Sequence, residues 1–348
     1  MPVGAIATES APGMPRSKCE RSGRRNRRRM CWPCFRALPV IRVFRPVLGF
    51  LGTRIAMGLG GSRLAPKDLV VLITGCSEGG IGHALAAELG SRGCTVVASA
   101  RSLASIRGLE QQQPSSISCI TLDVLDEDSM SRAVESTIQR FGKIDVLINN
   151  AGVPCLGPIA EIPLEMLERA YRTNVFGTVS LIQKVVPFMV KQGRGRIVNV
   201  GSIGAYASGP WMAGYTSSKA ALHALTDSLR VELRPFNIDV ILVTPGAIVS
   251  NIGKAALSTG LSYDLKIYKP FQESIEYRGM LSQGPKSTPA PEFARAVASK
   301  ILDGKPPSYF GYGHFVPLLW SMFYAPAWVR DWFFVKLLKI DKVKLVKN

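Results

Sequence analysis

From residue 68 onward, short apolar runs alternate with amphipathic stretches. The apolar runs fall at 69–74, 95–100, 116–122, 144–149, 196–201 and 239–244. Their length and continuity predict strands buried on both faces. The stretches between them, 81–92, 102–111, 127–141, 163–192 and 213–235, carry apolar residues at helical spacing. Strand and helix in strict alternation predict an α/β fold, a doubly wound parallel sheet covered by helices on both sides. Ligands of such sheets bind beyond the carboxyl ends of the strands. No internal repeat interrupts the pattern.

The chain has 348 residues, enough for one α/β domain with appendages. The boundaries read as a leader over 1–67, a domain over 68–313 and a hydrophobic tail over 314–348. A formal charge of +18 would suit a nucleic-acid binder were it spread over the domain. Residues 1–67, however, hold 14 of the 43 Lys/Arg and only 2 of the 25 Asp/Glu, including the run Arg24-Arg25-Asn26-Arg27-Arg28-Arg29. The basicity belongs mostly to the leader, and no nucleic-acid partner is expected. An Arg-rich, acid-poor amino terminus fits an organelle transit segment or a disordered basic tail. Arg42, Arg45 and Arg54 interrupt its apolar stretches, which argues against a secretory signal and a spanning helix. Seven cysteines make no disulfide framework, and Cys31-Trp32-Pro33-Cys34 has redox-motif spacing with no strand before it. His83, His223 and His314 are scattered, so no metal site is expected.

Candidate chemistry lies at the strand ends. Thr74-Gly75-Cys76-Ser77-Glu78-Gly79-Gly80-Ile81-Gly82 follows the first strand and opens the first helix. Glycines there let backbone N–H groups approach a pyrophosphate at a helix N-terminus. The same residues also read as Gly75-x-Ser77-x-Gly79, the nucleophile elbow of a serine lipase or esterase, although that elbow normally follows several strands. The second strand ends on Arg101, which suits a ribose 2′-phosphate where an acid would suit a 2′-hydroxyl, and so favours NADPH. Ser202 follows the fifth strand, where its hydroxyl can bond a developing oxyanion. Tyr215 and Lys219 are four apart on a predicted helix and share a face. A neighbouring ammonium lowers a phenol's pKa, making Tyr215 a general acid/base for carbonyl chemistry.

Together these pieces resemble the short-chain dehydrogenase/reductase family over roughly residues 68–313. The resemblance is carried by the 74–82 turn, Asp123, Asn149-Asn150-Ala151-Gly152, Asn174 in Thr173-Asn174-Val175-Phe176-Gly177, Ser202, Tyr215, Lys219 and Pro245-Gly246, all in the family's order. It implies a Rossmann-type fold, with Asn174, Ser202, Tyr215 and Lys219 catalytic. The cofactor would meet Gly75, Ser77, Gly80, Ile81, Gly82, Arg101, Asp123, Asn150, Tyr215, Lys219, Pro245 and Gly246. Asp123 would contact the adenine, the Asn150 segment would brace the cofactor, Asn174 would hold a proton-relaying water, and Lys219 would also bind the nicotinamide ribose. The turn departs from the family pattern: Gly75, Gly80 and Gly82 are five and two apart instead of four and two. Within the family, Glu232-Leu233-Arg234-Pro235-Phe236-Asn237-Ile238, the long segment after Gly246 and the hydrophobic tail resemble the NADPH-dependent 1-acyldihydroxyacetone phosphate reductases. Steroid and retinoid reductases stay open, as does an NADPH-binding protein without catalysis.

Residues 247–290 fall where the family places its substrate loop, with Lys254, Lys266, Lys269, Arg278 and Lys286 facing either a phosphate or solvent. The tail carries no formal charge between Lys305 and Arg330, and is rich in Trp320, Phe323, Tyr324, Trp328, Trp332, Phe333 and Phe334. Pro317 and Pro326 oppose a straight spanning helix. Aromatics followed by Lys336, Lys339, Lys342 and Lys344 suggest a segment lying in a membrane interface, against the alternative of a tail that packs on the core or forms a dimer. The expectation is an endoplasmic-reticulum or lipid-droplet enzyme, or a plastid or mitochondrial one if the leader is a transit segment. Its partners would be a lipid ketone, a membrane surface and, if the tail pairs, a second copy.

Overall fold

A computed structural model describes residues 65–260 and 263–343. The basic leader up to residue 64, the Cys31–Cys34 spacing and Lys344 lie outside the described residues.

Strands β1 (Val70–Ile73), β2 (Thr95–Ala100), β3 (Ile117–Thr121), β4 (Val146–Asn149), β5 (Gly195–Val200) and β6 (Ile238–Pro245) occupy the six apolar runs. They join in the order β3-β2-β1-β4-β5-β6, all parallel. Helices α1 (Ile81–Ser91), α2 (Arg107–Gln112), α3 (Glu127–Phe141), α4 (Leu164–Tyr171), α5 (Gly177–Gln192) and α6 (Ala213–Glu232) form the crossovers. Because β1 and β4 are buried at every position, alternate residues feed two cores. Val71 and Ile73 face one, with Leu85, Leu89, Phe293 and Ile301; Leu72 faces the other, with Leu181, Val185 and Met189. The chain crosses from one side of the sheet to the other between β3 and β4, so β1 and β4 are neighbours whose connections diverge, and a crevice opens beyond their carboxyl ends.

A seventh strand, Tyr309–Tyr312, pairs in parallel with β6 at the edge. Its Tyr-Phe-Gly-Tyr sequence is not fully buried at any position, so it lacks the continuous apolar run that marks the inner strands. Residues 247–290 are not an open loop. They contain a two-residue strand (Ile248–Val249) paired with a second (Thr288–Pro289), and helices α7 (Ile252–Gly260) and α8 (Gln272–Met280). Helix α9 (Ala290–Ile301) then packs on α1.

The tail folds as two helices, α10 (Val316–Phe323) and α11 (Ala327–Leu337). Pro317 lies in the first turn of α10 and Pro326 is the N-cap of α11, so the prolines start helices where they would have broken a long one. Val316, Met322, Phe334 and Leu338 are buried, which joins the tail to the body of the domain. By length and composition the continuous helical stretch 164–192 could cross a membrane, but half of its most apolar window is buried, and Leu181, Val185 and Met189 lie in the core beneath the sheet. The described cysteines, Cys76, Cys94, Cys119 and Cys155, are free.

Candidate active site

The crevice holds a cavity of about 450 Å³ running from the glycine turn to the tail helices. At one end, Asn150 and Ala151 donate their backbone N–H groups to Thr74 Oγ1 at 3.1 and 3.0 Å, and Asn150 Nδ2 donates to the carbonyls of Thr74 and Gly75 at 2.9 and 3.0 Å. The loop after β4 therefore stitches the turn after β1. Gly75 has φ +72°, and a Cβ there would stand 2.8 Å from Ala151 Cα, so the position needs glycine. Gly80 is the N-cap of α1 and supplies no side-chain acceptor, so the first N–H groups of that helix stay open where Gly80 and Ile81 line the cavity. An uncapped helix start under a glycine turn fits a pyrophosphate.

Gly82 does not line the cavity. A Cβ there would meet Asn150 Nδ2 and the Gly75 carbonyl at 2.5 Å, so this glycine lets the helix pack against the turn. The extra residue is absorbed by Gly79, which has φ +73° and faces Asn251 from the segment after β6. Ser77 Oγ pairs with Ser105 Oγ at 3.2 Å, and no hydrogen bond joins Ser77 to a histidine among the described residues. That arrangement gives the lipase alternative no catalytic base.

Further along the crevice, Arg101 and Asp123 line the cavity at the ends of β2 and β3. Asp123 Oδ1 accepts from Leu125 N–H at 3.0 Å, which fixes its carboxylate. Arg101 is exposed, and among the described residues it forms no ion pair. Pro245 and Gly246, at the end of β6, line the cavity as well.

Ser202, Tyr215 and Lys219 converge on the middle of the cavity. Ser202 follows β5; its Oγ accepts from Gly204 N–H at 3.2 Å and bonds the Tyr215 side chain. His223, one turn beyond Lys219, accepts the Ser202 backbone N–H on Nε2 at 3.2 Å. Burial, reinforced by the Lys219 charge, pushes the His223 pKa down to about 4, so it is a neutral acceptor that holds Ser202 in place. The sequence offered His223 as a scattered histidine and as one of two that a lipase would need, not as a support for Ser202; its spacing of four from Lys219 was the available signal.

Burial raises the Tyr215 pKa, and the Ser202 hydrogen bond and the Arg278 cation oppose it. The sequence assigned that lowering to Lys219. Lys219 Nζ instead donates to the Val200 carbonyl at 2.8 Å, and burial depresses its own pKa to about 8. The cation set against the phenol is Arg278 of α8.

Asn174 lies in a π-helical turn, Arg172–Phe176, between α4 and α5, a local widening common at functional sites. It is fully buried: Oδ1 accepts from Val153 N–H at 2.8 Å, and Nδ2 donates to the Val153 carbonyl at 3.0 Å and to Ser218 Oγ at 2.9 Å. A Cβ on Gly152 would meet Asn174 Oδ1 at 3.2 Å and Lys219 Nζ at 3.4 Å, so Asn174 and Lys219 flank one small residue that lines the cavity.

The far wall comes from the tail, through Phe315, Leu319, Phe333, Phe334 and Leu337. Sequence reasoning set the tail apart from the site; its two-helix return onto the domain depends on contacts such as Phe334 against Gly209 and the Leu338 carbonyl on Ser274 Oγ at 2.8 Å.

A doubly wound sheet, an anion-ready glycine turn and a Ser-Tyr-Lys set lining the cavity at the strand ends define a nicotinamide-dependent oxidoreductase. The chain belongs to the short chain dehydrogenase family, whose model matches residues 69–259. It is 31% identical over 281 residues to a short-chain dehydrogenase of Pyricularia oryzae, covering 80% of this chain and 97% of that one. It is 36% identical over 210 residues to an NADPH-dependent 1-acyldihydroxyacetone phosphate reductase of Schizosaccharomyces pombe, covering 59% and 69%. The crystal structure of a short-chain dehydrogenase from Streptomyces avermitilis superposes with a TM-score of 0.65 at 28% identity, over 79% of this chain and 97% of that one. The protein is thus an oxidoreductase acting on alcohol and ketone groups.

Proposed function

We propose that the protein reduces a lipid ketone with NADPH, and that the ketone is a 1-acyldihydroxyacetone phosphate, giving 1-acylglycerol 3-phosphate. The observation that carries the reading is a single cavity with Ser202 and Tyr215 in its middle and an apolar wall of Phe315, Leu319, Phe333, Phe334 and Leu337. A wall of that kind suits an acyl chain. The Schizosaccharomyces pombe relative supports the same substrate class. Arg101, free of any ion pair among the described residues, supports NADPH over NADH through a 2′-phosphate.

A bound nicotinamide supplies the hydride that reaches the ketone carbon. The chain's own residues do the rest. The raised pKa keeps the Tyr215 phenol protonated at neutral pH, as an acid for reduction must be. Tyr215 then gives its proton to the ketone oxygen while Ser202 Oγ hydrogen-bonds the same oxygen. Lys219, with a pKa of about 8, returns a proton toward Tyr215, and Asn174 orders the water on that path.

The outer face of the tail supports membrane seating. Trp328 and Trp332 are 71% and 61% exposed, beside exposed Phe323 and Tyr324, while Phe334 on the inner face is 5% exposed. Aromatic side chains of this kind favour the membrane–water boundary. The site would then open at a lipid surface, at endoplasmic reticulum or lipid droplets. In vesicle flotation, Trp328→Ser with Trp332→Ser should lower the bound fraction several-fold; a parent that stays in the soluble fraction would remove this part of the reading.

The test of the reaction is NADPH oxidation by detergent-solubilised protein given a 1-acyldihydroxyacetone phosphate, alongside Tyr215→Phe. Turnover should fall by about 10²–10⁴-fold in the variant, the usual worth of a positioned acid. Undiminished turnover by Tyr215→Phe would sink the mechanism, and a parent that binds NADPH but leaves this ketone untouched would sink the substrate.

A further inference from the structure

Helix α8 holds a cation that the chain does not answer. Ser274, Ile275 and Gly279 are its buried residues, and Arg278, three positions after Ile275, shares their face. Arg278 lines the cavity and stands within electrostatic reach of the Tyr215 phenol. Its Nε is closed off from solvent and has no hydrogen-bond partner. None of the ion pairs among the described residues includes it. Of the five cations in residues 247–290, it is the one that lines the cavity; Lys254, Lys266, Lys269 and Lys286 do not.

A guanidinium whose Nε is shut off from water and has no acceptor is costly, because that N–H has given up solvent without gaining a partner or a counter-charge. Tyr215 is a neutral phenol and does not supply one. Burial brings the Arg278 pKa down only to about 10, so the side chain is still a cation at neutral pH. The missing partner must therefore arrive with a ligand.

We infer that Arg278 receives the anionic group of the substrate, a phosphate ester carried on the carbon next to the ketone. This rests on the reading of the site as a ketone reductase. A guanidinium presents paired donors that match phosphate oxygens. Arg278 lines the same cavity as Tyr215 and acts on its phenol, so an anion held there belongs to the ligand whose ketone Tyr215 protonates. In a 1-acyldihydroxyacetone phosphate the phosphate and the acyl ester leave the ketone on opposite sides. One arm reaches α8, and the other reaches the wall formed by Phe333, Phe334 and Leu337. Arg101 cannot serve the same arm, since it stands at the end of β2 with the cofactor-side residues. Seating the phosphate would also cancel the charge that favours phenolate, so Tyr215 keeps its proton until the ketone oxygen takes it.

The test compares the full chain with Arg278→Met and Arg278→Lys on two ketones, a 1-acyldihydroxyacetone phosphate and its dephosphorylated counterpart. The kcat/KM preference for the phosphorylated ketone should drop about 100-fold in Arg278→Met, in line with truncating one side of a buried charge pair, and Arg278→Lys should restore part of it. Equal losses on both ketones would mean that Arg278 only tunes Tyr215 or supports the fold, and would overturn the inference, as would no loss. Calorimetric binding of 1-acylglycerol 3-phosphate to the NADP⁺-loaded protein gives a readout free of turnover and should weaken by a similar factor in Arg278→Met. NADPH fluorescence verifies that each variant is folded. If the parent reduces neither ketone yet binds this phosphate through Arg278, the reductase assignment fails and the anion site stands. If the parent reduces the phosphorylated ketone and Arg278→Met does so equally well, the assignment stands and the anion site fails.

Discussion

Arg196, buried, and Arg278, partly buried with its Nε shut off from solvent, lie toward opposite ends of the sheet's strands, and they are finished differently. Arg196 is the second residue of β5, at 4% exposure; its Nη2 donates to Asp239 Oδ2 at 2.7 Å, and its Nη1 to the carbonyls of Ile301 and, at 2.9 Å, Asp303. Asp145, just before β4, has its charge paired: Oδ2 takes Val70 N–H and Lys143 Nζ at 2.9 Å each, and the Arg194 guanidinium lies 3.7 Å from Oδ1, which accepts no hydrogen bond. At the amino ends of the strands, buried charges find partners within the chain. At the carboxyl ends, Arg278 and Arg101 have no carboxylate partner among the described residues, and Lys219 Nζ donates to a backbone carbonyl. The contrast separates charge that holds the fold from charge kept available for ligands.

That separation can be broken by one pair of variants. Arg196→Met leaves Asp239 and two carbonyls without their donor, and should cost about 2–3 kcal/mol of stability, allowing for the half-exposed Asp239, while the folded fraction keeps its catalytic centre. Arg278→Met removes a partly buried charge that has no carboxylate partner among the described residues, and its melting temperature should hold or rise even as substrate preference collapses. Urea titration of both, without cofactor, reads the difference. Equal destabilisation would show that the two arginines do the same job.

How much could be read before folding follows the same division. Tyr215 and Lys219 were legible because they lie on one helix, and Ser202 because it ends an apolar run; local spacing fixes all three. The glycine turn was legible as a class of site. The division of labour in it was not, because the turn takes its shape from contacts with Asn150 and Asn251, which come from loops far along the chain. Arg278 looked like one loop cation among five; only the helical register of α8 and its packing beside Trp211 and Met212 turn it inward. The seventh strand and the tail wall were hidden for a related reason, since both depend on what the rest of the domain offers them. Conversely, Lys219 was credited with the field at Tyr215 from spacing alone, and spacing cannot reveal that the Val200 carbonyl takes its ammonium.

Lys219 offers the finest way to sharpen the comparison, because its cost should depend on pH. Burial holds its pKa at about 8 in the folded protein, against an ordinary 10.5. Between those values the unfolded chain binds more protons than the folded one, so the contribution of this group to stability rises with pH. The penalty is full below about pH 8, is relieved through the window up to 10.5, and is gone above it. A shift of that size corresponds to roughly 3 kcal/mol, from which the lost Lys219–Val200 hydrogen bond takes back about 1. Lys219→Met should therefore be more stable than the parent at pH 7, by about 1–2 kcal/mol, although its catalysis is lost. The gap should narrow steadily in cofactor-free urea melts at pH 8, 9 and 10, because every other titrating group is common to both proteins. A gap that stays constant over that range would mean that the Lys219 ammonium is compensated within the fold, and the carboxyl end of the sheet would then resemble the amino end after all.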